Sequence, residues 1–288
     1  NTRAGSQSML FALCNDLTGI GFYSSGGDGN IIYWPNAIVD EGIMIARSMG
    51  QVMCLYLDEQ YNRLLVGSLD GHLTVIDTKD HSLLYRNKVM KGGIFDFIKN
   101  DTGCFMVGDD GAVSQINEKT YQPFRGLQIS HSRCRALCNI NEYMYAGVTE
   151  GKIYKIDPLR LNEPIVSNSS HSGSVFSLLG FEDFIYSSGK DGKIIAWNKK
   201  LEKIDEIQAH NSTINSICML GDSDIIASAC RDGSIRLWQA ATLELLKVID
   251  LYLHSGHLRS VNKLLWNDHA KLLISCSDDK KIKTWQID

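Results

Sequence analysis

The sequence predicts an all-β fold, a seven-bladed β-propeller of four-stranded antiparallel blades, on three observations. Seven acidic residues each stand six positions before a large apolar one: Asp28/Trp34, Asp70/Ile76, Asp110/Ile116, Glu150/Ile156, Asp191/Trp197, Asp232/Trp238 and Asp279/Trp285. Successive acids lie 42, 40, 40, 41, 41 and 47 residues apart, the period of a blade built of short strands. Glycine follows the acid in six of the seven turns, as a tight hairpin between two strands requires.

Each blade is read from the fifth, the most regular. His171 precedes an alternating strand at 175–178, a second strand covers 184–188, and the Asp-Gly turn at 191–192 leads into a third at 194–197. A more polar fourth strand at 201–208 suits an outer edge. On this template the blades span 6–49, 50–90, 91–130, 131–170, 171–209, 210–256, and 257–288 completed by 1–5. The last repeat ends on its third strand near Trp285, so either residues 1–5 supply its outer strand and close the ring weakly, or that strand lies outside this sequence. With four prolines and no low-complexity run, residues 1–288 read as a single domain.

Three repeats carry a repeated set of four polar and aromatic residues: His171, Ser187, Asp191 and Trp197; His210, Ser228, Asp232 and Trp238; His257, Ser275, Asp279 and Trp285. On these residues the chain resembles the WD-repeat β-propeller family along essentially its whole length. The resemblance implies a buried hydrogen-bonded tetrad in each of the three blades, which suits a carboxylate that must find donors when buried. The first repeat keeps Ser24, Asp28 and Trp34. The second and third put Val66 and Met106 at the serine place and Ile76 and Ile116 at the tryptophan place. The fourth keeps His131 but has Ala146, Glu150 and Ile156. Complete repeats with no appended domain resemble stand-alone bacterial WD-repeat proteins.

Composition narrows the function. A net charge of -4 and a pI near 6.1 argue against tracking a nucleic-acid backbone. No apolar stretch reaches the length of a membrane span. Eight cysteines contain no CxxC pair and no zinc spacing, and read as buried thiols of a cytoplasmic protein. The histidines fall in different blades, His72, His81 and His269 read as solvated, and no nucleophile–base pair or phosphate-cradling loop stands out. The expectation is therefore a non-enzyme without metal or cofactor.

In the WD-repeat family partners commonly dock around the narrow mouth of the central channel. The resemblance places Met9, Phe11, Met53, Leu69 and Phe95 there from blades one to three, and Arg133, Arg135, Phe176, Lys190 and Arg231 from blades four to six. An apolar arc facing a basic arc fits a protein or peptide with an acidic or phosphorylated segment. The long connection before His257 adds Tyr252 and Leu253 as one wall. The expected function is a monomeric protein-interaction scaffold. Two other readings stay open: a propeller domain cut from a larger regulatory protein, and a small-molecule-binding or hydrolytic propeller.

Overall fold

The computed structural model describes residues 2–4, 7–38, 41–161, 165–169 and 171–287. Seven four-stranded sheets are arranged as blades. Their innermost strands are Leu10–Asn15, Val52–Asp58, Ile94–Asn100, Cys134–Ile140, Val175–Phe181, Ile214–Met219 and Val261–Asn267. Each innermost strand touches the next, and the seventh returns to the first, so the ring is closed. The outer strand of blade seven is Thr2–Ala4, with Thr2 opposite Lys283 and Ala4 opposite Lys281. Asn1, Gly5 and Ser6 lie outside the described residues. A four-residue helix, Leu251–His254, interrupts the all-β pattern in the long connection of blade six. No described helix is long and apolar enough to cross a membrane.

The turn acids recur for a backbone reason. The residue after each acid has positive φ in all seven turns: glycine in six, and Lys280 at 68° in the seventh. Asp28, Asp110, Asp191, Asp232 and Asp279 each accept the amide N–H two residues on, at 2.8–3.2 Å. An acid at this place therefore locks the turn even where no histidine reaches it.

Apolar side chains fill the seven gaps between blades. Each of the seven core clusters draws its residues from two neighbouring blades. In the closing gap Phe22 stacks on Trp34, centroids 5.7 Å apart, and both pack with Ile274, Cys276 and Ile282 of blade seven. All eight cysteines are unpaired. Burial pushes the thiols of Cys14, Cys104, Cys218 and Cys276 up to about 12, so they stay neutral packing groups.

The tetrad residues differ from blade to blade. In blade five His171 Nδ1 lies 3.0 Å from the Asp191 carboxylate and Nε2 2.7 Å from Ser187 Oγ, and the Trp197 indole N–H donates to the same hydroxyl at 2.8 Å. Blade seven repeats this with His257, Asp279, Ser275 and Trp285 at 2.8–2.9 Å. Blade six joins His210 and Trp238 to Ser228, but Asp232 turns to Ser234 and makes no direct bond to the histidine. Blade one keeps the Trp34 to Ser24 bond. In blade four His131 is exposed, and Ser130 Oγ approaches Glu150 instead.

Two histidines read as solvated are partly buried and have partners. His72, from the third strand of blade two, lies 2.9 Å from the Asp70 carboxylate in a partly exposed pair. His81 is half-buried with its ring 5.2 Å from that of Tyr33, whereas His269 is exposed.

Removing Asp191 leaves the His171 ring and the Ser172 and Lys193 amides without their acceptor. Asp191→Ala therefore lowers stability by roughly 1–3 kcal/mol, and Asp110→Ala, which frees only the Ala112 amide, costs less. Equal effects in denaturant unfolding would contradict this.

Burial, with Arg236 nearby, holds the His210 pKa down at about 4, and burial also lowers that of His257. An unfolded histidine titrates near 6.5, so the fold favours the neutral ring; this contribution is complete above pH ~6.5 and is lost as pH falls toward 4. Between pH 7 and 4.5 His210 alone removes about 2–3 kcal/mol. Denaturant midpoints measured across that range should fall steeply in the wild type and less so in His210→Asn; parallel curves would disprove the assignment.

Candidate functional site

A slip in strand pairing builds the site. In every blade the pairing of the first two strands skips one residue at the same place, leaving Phe11, Met53, Phe95, Arg135, Phe176, Asn215 and Asn262 unopposed. A bulge re-aims its side chain and bends the strand. All seven of these side chains line one cavity of about 340 Å³ at the end of the channel where the innermost strands begin, here termed the upper mouth.

Arg135 is the cation that the bulge itself turns into this cavity. Its guanidinium carbon lies 4.6 Å from the Phe95 ring centroid and 5.1 Å from that of Phe176. Its Nε is buried and, among the described residues, has no hydrogen-bond partner. Burial and the charge of Arg133 lower the Arg135 pKa, against a weaker pull from Asp109. Arg133 itself is ion-paired with Asp109 at 2.5 Å. The apolar and basic arcs expected from the sequence are thus interleaved, with Arg135 flanked by two phenylalanines.

The opposite side of the mouth is polar and tied to the backbone. Asn215 donates to Ser260 Oγ at 2.8 Å and to the Val261 carbonyl at 2.9 Å, and Asn262 donates to the Leu10 carbonyl at 2.8 Å and to Asp278 at 2.7 Å. These bonds fasten blades six, seven and one together around the rim.

Met9, Leu69, Arg133, Lys190 and Arg231 are exposed and do not line the cavity. They come from the strand starts and inter-strand turns at the upper end of the channel. Tyr252 and Leu253 are 92% and 82% exposed on the short helix, whose N-cap Asp250 accepts the Leu253 amide, and they too stay out of the cavity.

Two charged residues of the channel escaped the sequence reading. Asp96 and Lys263 stand one position after the bulge, where other blades have Ala12, Cys54, Ala136, Ser177 and Ser216. Both line the upper cavity and also a lower one of about 1040 Å³, so they mark the waist of the channel. Asp96 accepts the Leu137 amide of the next blade at 2.9 Å, as Ser177 accepts that of Ile217 and Ser216 that of Leu264. Burial raises the Asp96 pKa, opposed by Lys263 and the backbone donors. A charge at a place otherwise held by small residues was the available signal. The lower cavity includes Lys99, paired with Asp58 at 2.8 Å and with Glu118 at 3.0 Å.

Comparison with known proteins agrees with the fold. The family model described as WD domain, G-beta repeat, matches residues 201–239 and 249–286. A chain in a crystal structure of the mitotic checkpoint complex is similar at a TM-score of 0.84 and 17% identity, over 96% of this chain and 89% of that one. The computationally designed Ika8 protein is similar at a TM-score of 0.73 and 20% identity, over 98% of both chains. WD40 propellers are typically protein-interaction scaffolds and generally non-catalytic. The family model thus finds WD repeats in the last two blades, and the chain as a whole folds as a β-propeller of seven blades around one channel.

Proposed function

We propose that the protein is a non-catalytic, monomeric scaffold that docks an acidic or phosphorylated segment of a partner protein on its upper face. The observation that carries this reading is Arg135. A guanidinium withdrawn from water and left without a carboxylate is costly, and the planar fork suits a bidentate carboxylate or phosphate. Phe95 and Phe176 hold it in place by their ring faces. Phe11 and Met53 supply apolar wall, and Met9 and Leu69 extend an apolar rim beyond the cavity. Arg133, Lys190 and Arg231 add positive charge at the surface, where they speed encounter more than they tighten the complex. Tyr252 and Leu253 offer a further apolar contact at the edge of the same face.

The buried neutral thiols suit a reducing compartment such as the cytoplasm. A second reading, a small anionic molecule held in the channel, is favoured by the convergence of Arg135, Asn215, Asn262 and Lys263 on one cavity.

A peptide display library selected on the immobilised protein should enrich sequences with Asp or Glu next to Leu, Met or aromatic residues. Arg135→Met, which keeps the apolar contacts, should weaken the selected peptides more than about tenfold. Arg231→Glu should mainly slow association and reduce its salt dependence. Enrichment of uncharged peptides, or equal affinity for Arg135→Met, would refute the assignment. Full competition by a free small carboxylate would move it to the channel ligand.

A further inference from the structure

Blade six departs from its neighbours at a place where three potential metal ligands meet. We propose that His210, Cys230 and Asp232 form a zinc-binding site at the upper end of this blade. A ring nitrogen of His210, the Cys230 sulfur and an Asp232 carboxylate oxygen all lie within 4.8 Å of one another. Ligand atoms around a tetrahedral zinc stand about 3.5 Å apart, given bonds of roughly 2.0–2.3 Å, so small side-chain rotations close the set.

The second observation is the state of His210, which is 1% exposed. In blades five and seven the equivalent Nδ1 is held by a carboxylate at 3.0 and 2.9 Å. In blade six its partner is Ser234 Oγ at 3.4 Å, and that hydroxyl already donates to Asp232 at 2.7 Å. A hydroxyl has one proton to give. The remaining hydrogen bonds favour the tautomer with the proton on Nε2: His210 and Trp238 both donate to Ser228 Oγ, whose own proton points to the Arg236 carbonyl. Nδ1 is then a buried lone pair aimed at the thiol and the carboxylate.

Cys230 completes the chemistry. At this place, two residues before the turn acid, the other blades have Gly26, Ser68, Gly108, Val148, Gly189 and Ser277. Blade six alone supplies a sulfur. Neutral imidazole, thiolate and carboxylate are borderline-soft N, S and O donors whose two negative charges balance a divalent ion. On binding, the Cys230 thiol forms its bond to the metal as it releases its proton to solvent. Asp232 is exposed, which gives the ion a way in and leaves a fourth position for water. The ion replaces the missing carboxylate–histidine bond of this blade.

Titration of the intact protein with Co2+ tests this. One equivalent should produce thiolate-to-cobalt charge-transfer absorption and the visible bands of a four-coordinate ion, both displaced by Zn2+, and Zn2+ should raise the melting temperature. Cys230→Ser and Asp232→Asn should each weaken binding at least about tenfold. Because Asp232 is exposed, Asp232→Asn reads the site even if Cys230→Ser does not fold. Absence of a thiolate band in the wild type, or a band unchanged in folded Asp232→Asn, overturns the proposal.

Discussion

Every blade buries both faces of its sheet against the neighbours on either side, and this inter-blade packing is the constraint on which the rest of the structure depends. Seven apolar clusters, one per gap, close the ring. Their sum explains why blades two and three stand without a tetrad. Val66 and Ile76 pack into the gap with blade one, and Met106 and Ile116 into the gap with blade two. An apolar side chain buried there contributes on the order of 1.5–3 kcal/mol, comparable with the polar device it replaces. The tetrads of blades five and seven are thus local locks on a ring that packing already closes.

Closure also dictates which side chains reach the mouth of the channel. Innermost strands of different blades converge on the axis side by side, and their side chains crowd the channel. The repeated bulge relieves the crowding by turning one residue per blade into the upper mouth. That residue is free of the ladder, so its identity varies without cost to the fold: phenylalanine in three blades, then Met53, Arg135, Asn215 and Asn262. The asparagines serve the rim by bonding neighbouring strands. Arg135 is held by rings alone, with no described counter-ion.

The blade architecture was legible because the turn acid and the positive-φ residue after it repeat for a backbone reason, independent of packing. Lys280 in place of glycine did not hide the seventh turn, because Asp279 and Trp285 kept the spacing. The site was legible only in part. Pattern reading placed Phe11, Met53, Phe95, Arg135 and Phe176 near the mouth, but could not see that Arg135 sits between two phenylalanines, a contact across three blades. Alternation along a strand breaks at the bulge, so Asp96 and Lys263 were passed over. His72 was misread because its partner Asp70 is reached from the third strand, and the turning of Asp232 toward Ser234 depends on a rotamer that spacing does not encode.

Hydrogen–deuterium exchange reads the proposed docking at the upper mouth directly. With the tightest display-selected acidic peptide bound, exchange should slow at the starts of the innermost strands, around residues 9–11, 93–96, 133–136 and 174–177. The Arg135→Met protein should lose that protection. Slowing confined to the lower cavity, around residues 57–60 and 99–103, would contradict the account and move the binding surface to the opposite end of the channel.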